Sequence, residues 1–108
     1  MIDNTNQHQR LFTYGTLQIP SVQKLLVGRE IPMTADALPG FIKKNVLLGD
    51  EVYPILTPDP DGTNLVDGMV LEVTPEELRR FDIYETSAYK RIEVTLQSGG
   101  VAWVYVES

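Results

Sequence analysis

From Tyr89 to Gln97 apolar and polar residues alternate, with Ile92, Val94 and Leu96 on one side and Arg91, Glu93, Thr95 and Gln97 on the other. A period of two belongs to a β-strand with one buried face. Ser98-Gly99-Gly100 then turns the chain into Val101 to Val106, a second strand bearing Trp103 and Tyr105. A tight glycine-containing turn between two such runs is a hairpin signal.

Further strands are read upstream. Leu11 and Phe12 open the first, with Tyr14 as its last residue. Ile31, Met33, Ala35 and Ala37 alternate with Pro32, Thr34, Asp36 and Leu38, and Pro39-Gly40 turns the chain. Phe41-Ile42 and Val46-Leu47-Leu48 read as strand pieces around an exposed Lys43-Lys44-Asn45 bend. Val52 to Leu56 is a short strand in which Pro54 predicts an edge or a bulge. Thr57 to Asn64 is a loop whose aspartates fit turn chemistry, since the calcium-ligand ladder of an EF-hand is missing. Leu65 to Val73 is a mostly apolar strand, and Gly68 inside it marks a bulge or a close approach.

Two helices interrupt the strands. Pro20-Ser21 precedes Val22, Leu25 and Leu26, which share a helical face, and Gly28 stands at the stop. Thr74-Pro75-Glu76-Glu77 combines a cap, a proline at the first helical position and the glutamate of a capping box. Six or seven short strands with two helices predict an α+β domain around a strongly bent sheet or small barrel.

A chain of 108 residues with 43% hydrophobic content suits one domain. Residues 1–9 read as a disordered polar leader without the apolar core of a signal peptide, and residues 10–108 as the domain. No apolar run approaches the roughly 20 residues that cross a bilayer. The absence of cysteine rules out a disulfide framework, a thiolate nucleophile and cysteine-bound zinc, and fits a cytoplasmic protein. A net charge of −6, with basic residues in scattered pairs at Lys43-Lys44, Arg79-Arg80 and Lys90-Arg91, argues against a nucleic-acid partner.

One carboxylate stands out. On a helical wheel Leu78 defines the inward direction of the second helix, and Glu85 returns to within about 20° of it. A glutamate on an apolar stripe is seldom buried unless paired or working. Either the helix has ended and Glu85 lies on a loop, or it pairs with Arg91, or it is a half-buried carboxylate with a raised pKa, suited to proton transfer near neutrality. The sole histidine, His8, falls in the leader, so no Ser-His-Asp triad has a credible base, and metal-ligand spacing is absent. A second candidate is Tyr14-Gly15-Thr16-Leu17. Glycine allows close approach to the backbone there, and the turn leaves N–H groups able to hold a carboxylate or oxyanion.

Together the two stretches resemble a known family. Tyr14-Gly15-Thr16-Leu17 after a first strand is similar to the Tyr-Gly-Ser/Thr-Leu signature of the gamma-glutamylcyclotransferase-like proteins. Phe81-Asp82-Ile83-Tyr84-Glu85, followed by Tyr89-Lys90-Arg91, resembles their second signature. The resemblance runs from Arg10 onward, and the chain's compactness is similar to the branch that includes γ-glutamylamine cyclotransferases. It implies a small mixed β-barrel of six to seven strands flanked by short helices. The implied activity converts a γ-glutamyl amine or γ-glutamyl amino acid to 5-oxoproline and a free amine. Glu85 would be general base and acid, with Tyr14, Gly15, Thr16, Leu17 and Tyr89 around the glutamyl group and Arg91 in support. No metal or cofactor is implied. The expected partner is the small γ-glutamyl substrate of a monomer, with neither nucleic acid nor membrane. The family's first signature often continues with a basic residue and glycine, where this chain has Gln18-Ile19-Pro20, so the rim of the pocket is its own. The alternative is a non-catalytic module that binds a small metabolite or a protein on the same barrel.

Overall fold

The computed structural model describes residues 8–108. Among these are seven strands: β1 (Gln9–Thr13), β2 (Met33–Pro39), β3 (Phe41–Leu48), β4 (Glu51–Pro58), β5 (Leu65–Val73), β6 (Tyr89–Thr95) and β7 (Val101–Glu107). Two helices, α1 (Pro20–Val27) and α2 (Pro75–Glu85), join them, with single 3₁₀ turns at Thr16–Gln18 and Thr86–Ala88. The predicted leader lies outside the described residues except for His8 and Gln9, and Gln9 already belongs to β1.

Five strands form one sheet in the order β2-β5-β1-β7-β6. Its centre is β1, antiparallel to β5 and parallel to β7. Alternation along β1 divides the core. Leu11 joins Leu71, Val73, Leu78 and Phe81 on the face covered by the helices. Phe12 joins Val70, Val104, Leu38 and Leu56 on the other, where the β3–β4 hairpin packs. The C-terminal hairpin pairs Tyr89 with Glu107 through Thr95 with Val101, as its alternation predicts. The α+β class and the strand count hold. The ladders do not close into a barrel, because β3 and β4 pair only with each other and lean on the five-stranded sheet through side chains.

Several local readings are revised. Lys43-Lys44-Asn45 is no bend: β3 is continuous, and pairing with Leu56, Ile55 and Pro54 supplies backbone partners that a polar stretch does not advertise. Pro54 stands on an edge strand, where its missing N–H costs no ladder bond. Met33 and Ala35 are exposed, and burial on the edge strand β2 is confined to Ala37 and Leu38 near its end. On α1 the buried face is turned away from Leu25, which is 84% exposed, towards Gln23, which is fully buried. Gln23 is inside because its amide is fully used: Nε2 donates to the Leu17 carbonyl at 2.9 Å and Oε1 accepts the Ile31 N–H at 2.8 Å.

Gly68 marks a close approach and not a bulge, for the β2–β5 register runs through it unbroken. A Cβ placed there would lie 2.3 Å from the Thr13 carbonyl oxygen and 2.6 Å from the Phe12 ring. At the start of α2 the capping box is complete, with the Glu77 N–H donating to Thr74 Oγ1 at 3.1 Å and the Thr74 N–H to Glu77 Oε1 at 2.9 Å. No described helix is long and apolar enough to cross a membrane.

Candidate active site

The parallel strands β1 and β7 end side by side, and beyond their carboxyl ends the chain opens into a cleft of about 900 Å³. Three pieces wall it. Tyr14 to Leu17 leaves β1 on one side, the last turn of α2 with Thr86 closes another, and Val52, Pro54 and Ile55 of β4 form the third. Glu85 and the Tyr14–Leu17 loop therefore share one cavity, although 68 positions separate Tyr84 from Thr16, whose hydroxyls meet across it at 3.3 Å.

The strand ends at Thr13, one residue earlier than its apolar pattern predicts, because Tyr14 turns its ring into the core. Its phenol donates to the Tyr105 carbonyl at 2.6 Å. Burial, then the nearby Tyr89 and Glu85, push that phenol far above its usual range, so it stays protonated and committed. Tyr14 thus reaches the cleft as a wall and a backbone anchor, with its hydroxyl already used. In the following turn the N–H groups of Gln18 and Ile19 donate to Gly15 and Thr16. Those of Gly15, Thr16 and Leu17 make no turn bond among the described residues. The buried Gln23 holds the Leu17 carbonyl from behind. Gly15 faces Pro54, and a Cβ on it would come within 3.3 Å of the proline ring.

Glu85 is the last residue of α2, so the helix does reach it. It forms no ion pair among the described residues, because Arg91 is taken elsewhere. Burial alone raises its carboxyl, from an ordinary 4.5 to about 7. Arg91 instead forks onto Asp82, one turn earlier, with Nε at 2.6 Å and Nη2 at 2.9 Å, and stacks 4.6 Å above the Trp103 ring. The Tyr105 hydroxyl adds a third bond to Asp82, at 2.7 Å. Burial pulls Asp82 upward, but these donors outweigh it and hold the carboxyl below its usual value. Arg91 therefore holds the end of α2 through Asp82 and makes no bond to Glu85.

Tyr89 lies in the cleft wall, its hydroxyl donating to the Pro54 carbonyl at 3.3 Å. Burial first, then Glu85 and Glu107, raise its phenol. Sequence reasoning did not find Tyr53, Tyr84, Thr86, Glu51 or Glu107, which also line the cavity. Tyr84 and Thr86 flank Glu85 in the chain and could have been suspected by adjacency. Thr86 carries a φ of 61°, left-handed and strained for a β-branched residue, and no residue type predicts that position. Its N–H closes α2 onto the Asp82 and Ile83 carbonyls. No group of three or more His, Cys, Asp or Glu side chains able to hold a metal occurs among the described residues.

Comparison with known proteins agrees with this architecture. Residues 11–108 match the family model described as gamma-glutamyl cyclotransferase, AIG2-like. AIG2-like protein C of Arabidopsis thaliana is 39% identical over 89 residues, which cover 80% of this chain and 49% of that protein. AIG2-like protein A of the same plant is 34% identical over 82% of this chain and 52% of its own length. The chain thus spans about half the length of these relatives. The solution structure of another Arabidopsis thaliana protein superposes with a TM-score of 0.81 at 25% identity, over 99% of this chain and 66% of that one. A structure named gamma-glutamyl cyclotransferase shares the fold with a TM-score of 0.76 at 17% identity, over 94% and 67%. On the match from Leu11 to Ser108, the chain belongs to the AIG2-like gamma-glutamyl cyclotransferase family.

Proposed function

We propose that the protein is a γ-glutamylcyclotransferase in which Glu85 moves the protons. The observation that carries the reading is Glu85 itself: a partly buried carboxylate that, among the described residues, has no cation to hold its charge and shares its cleft with N–H groups after β1 that make no turn bond. A carboxyl raised to about 7 exists in both protonation states near neutrality, as a group that must take and return a proton requires.

The chemistry needs little else. Glu85 takes a proton from the α-ammonium of the γ-glutamyl group. The freed amine attacks its own γ-carbonyl carbon, and a C–N bond forms as the carbonyl oxygen becomes an oxyanion. Protonated Glu85 donates to the leaving nitrogen, the bond from that nitrogen to the γ-carbon breaks, and the free amine departs. The regenerated carboxylate then takes the surplus proton from the ring nitrogen and passes it to the released amine, leaving 5-oxoproline, an ammonium product and Glu85 ionised as at the start. Because nucleophile and electrophile belong to one molecule, the cleft contributes mainly by folding the substrate for attack and stabilising charge. The N–H groups of Gly15, Thr16 and Leu17 suit the glutamyl carboxylate or the oxyanion. Tyr89 stands beside Glu85, where its phenol can turn from Pro54 to substrate.

A module that only bound an acidic metabolite would gain from a basic side chain, and among the described residues none lines the cleft. The test is release of 5-oxoproline from γ-glutamyl amines and γ-glutamyl amino acids. Turnover of at least one supports the reading, whereas a folded protein inert towards all of them overturns it.

A further inference from the structure

The cleft's volume is that of a pocket for a drug-sized ligand, well beyond a glutamyl group alone, so much of it belongs to whatever the glutamyl group is attached to. That remaining wall has a marked chemistry. Val46, Val52, Pro54 and Ile55 make it apolar on the hairpin side, and Tyr53 and Tyr84 add aromatic rings. Its charges are of one sign. Glu51 opens β4 and accepts the Tyr53 hydroxyl, and Glu107 ends β7 opposite Tyr89. Among the described residues no lysine, arginine or histidine lines the cavity. Lys90 and Arg91 lie in a separate hollow of about 400 Å³ beyond Thr86 and Tyr89, where Arg91 is already bound to Asp82. Lys44, on β3, is exposed and outside the lining.

A leaving group that is an amino acid carries a carboxylate, which would enter this cavity with no cation to meet it and two glutamates to repel it. An alkylamine with a second ammonium finds the reverse: an apolar wall for its methylenes, carboxylates for its charge and tyrosine faces for the cation. We propose that the amine released is an alkyl chain ending in a second cationic nitrogen and carrying no carboxylate. Its stem lies along Val52, Pro54 and Ile55, and its far ammonium at Glu51 or Glu107. This rests on the cyclotransferase reading and extends it to the substrate's other half.

Three substrates of equal stem length separate the possibilities: the mono-γ-glutamyl amides of 1,5-diaminopentane and of pentylamine, and ε-(γ-glutamyl)lysine. The first and second differ by one ammonium, the first and third by one carboxylate. The expected order of kcat/KM is diaminopentane, then pentylamine, then lysine, with about five- to tenfold between first and last, shrinking as salt is raised. In the double variant Glu51→Gln with Glu107→Gln, the ratio of first to last falls to about two or below. A lysine derivative that equals or exceeds the diaminopentane derivative overturns the inference and leaves the cyclotransferase reading intact. A preference that survives the double variant overturns the assigned contacts. Turnover of none of the three by folded protein removes this inference, and a failure extending to every γ-glutamyl compound removes the cyclotransferase reading itself.

Discussion

Asp82 and Glu85 stand one turn apart on α2 and titrate in opposite directions. Burial acts upward on both. Asp82 is nevertheless held below the usual carboxylate range by Arg91 and the Tyr105 hydroxyl, whereas Glu85 meets no opposing donor among the described residues and rises to about 7. The pair separates two tasks: Asp82 stays ionised as the anchor that fixes the helix end, and Glu85 is left able to change its proton.

The cost of that arrangement is measurable in stability. Because the folded carboxyl of Glu85 holds its proton to higher pH than the unfolded one, the folded state binds more protons between about 4.5 and 7. Stability from this residue therefore falls as pH rises through that window. Glu85→Gln should raise the melting temperature at pH 8 by an amount corresponding to about 1–2 kcal/mol, a figure discounted because the side chain is partly exposed. At pH 4 the two proteins should melt together. Thermal unfolding at the two pH values checks this.

Tyr105→Phe removes one donor from Asp82 and leaves the ring in the core. A hydrogen bond to a charged group of this kind contributes about 1–2 kcal/mol. The expected variant melts lower and loses several-fold in kcat while KM changes little, because Glu85 is displaced and not removed. Arg91→Met should do the same with a larger loss, since it also breaks the fork and the stacking on Trp103.

Gly68→Ala drives a methyl group against the Thr13 carbonyl, a backbone atom at the mouth of the cleft, and against the Phe12 ring. Neither can yield without moving β1. The expected loss is about 3 kcal/mol, read as a lower denaturant midpoint with an unchanged slope.

Gln23→Leu keeps the volume but strands the Ile31 N–H and the Leu17 carbonyl inside the protein. Two buried groups left unpaired should cost about 2–4 kcal/mol. KM should rise more than kcat falls, because the residue supports the loop beside the glutamyl group.

Much of the fold is legible in single residues. The alternation from Tyr89 to Gln97 specifies β6, Thr74 and Glu77 specify the start of α2, and Gly68 announces a crowded backbone. The placement of Glu85 on an apolar stripe marks a carboxylate that the structure places, partly buried, in the wall of the cleft. What is hidden is set by partners distant in the chain. Lys43 to Asn45 is a strand only because β4 pairs with it. Gln23 is buried only because two backbone groups, at Leu17 and Ile31, need its amide. The barrel implied by resemblance opens into a sheet and a hairpin for the same reason, since closure depends on ladders that no local pattern encodes. The Asp82–Tyr105 contact and the cleft glutamates Glu51 and Glu107 likewise exist only once β4 and β7 have been brought to α2.

The measurement that bears most directly on the assignment of Glu85 is the pH dependence of kcat/KM for 5-oxoproline formation, wild type beside Glu85→Gln. The wild-type rate should climb through an apparent pKa near 7 as Glu85 loses its proton. The folded variant should fall about 10²–10⁴-fold and lose that limb of the profile. Equal rates with the same profile in both proteins would contradict the account, because the proton would then be moving through some other group.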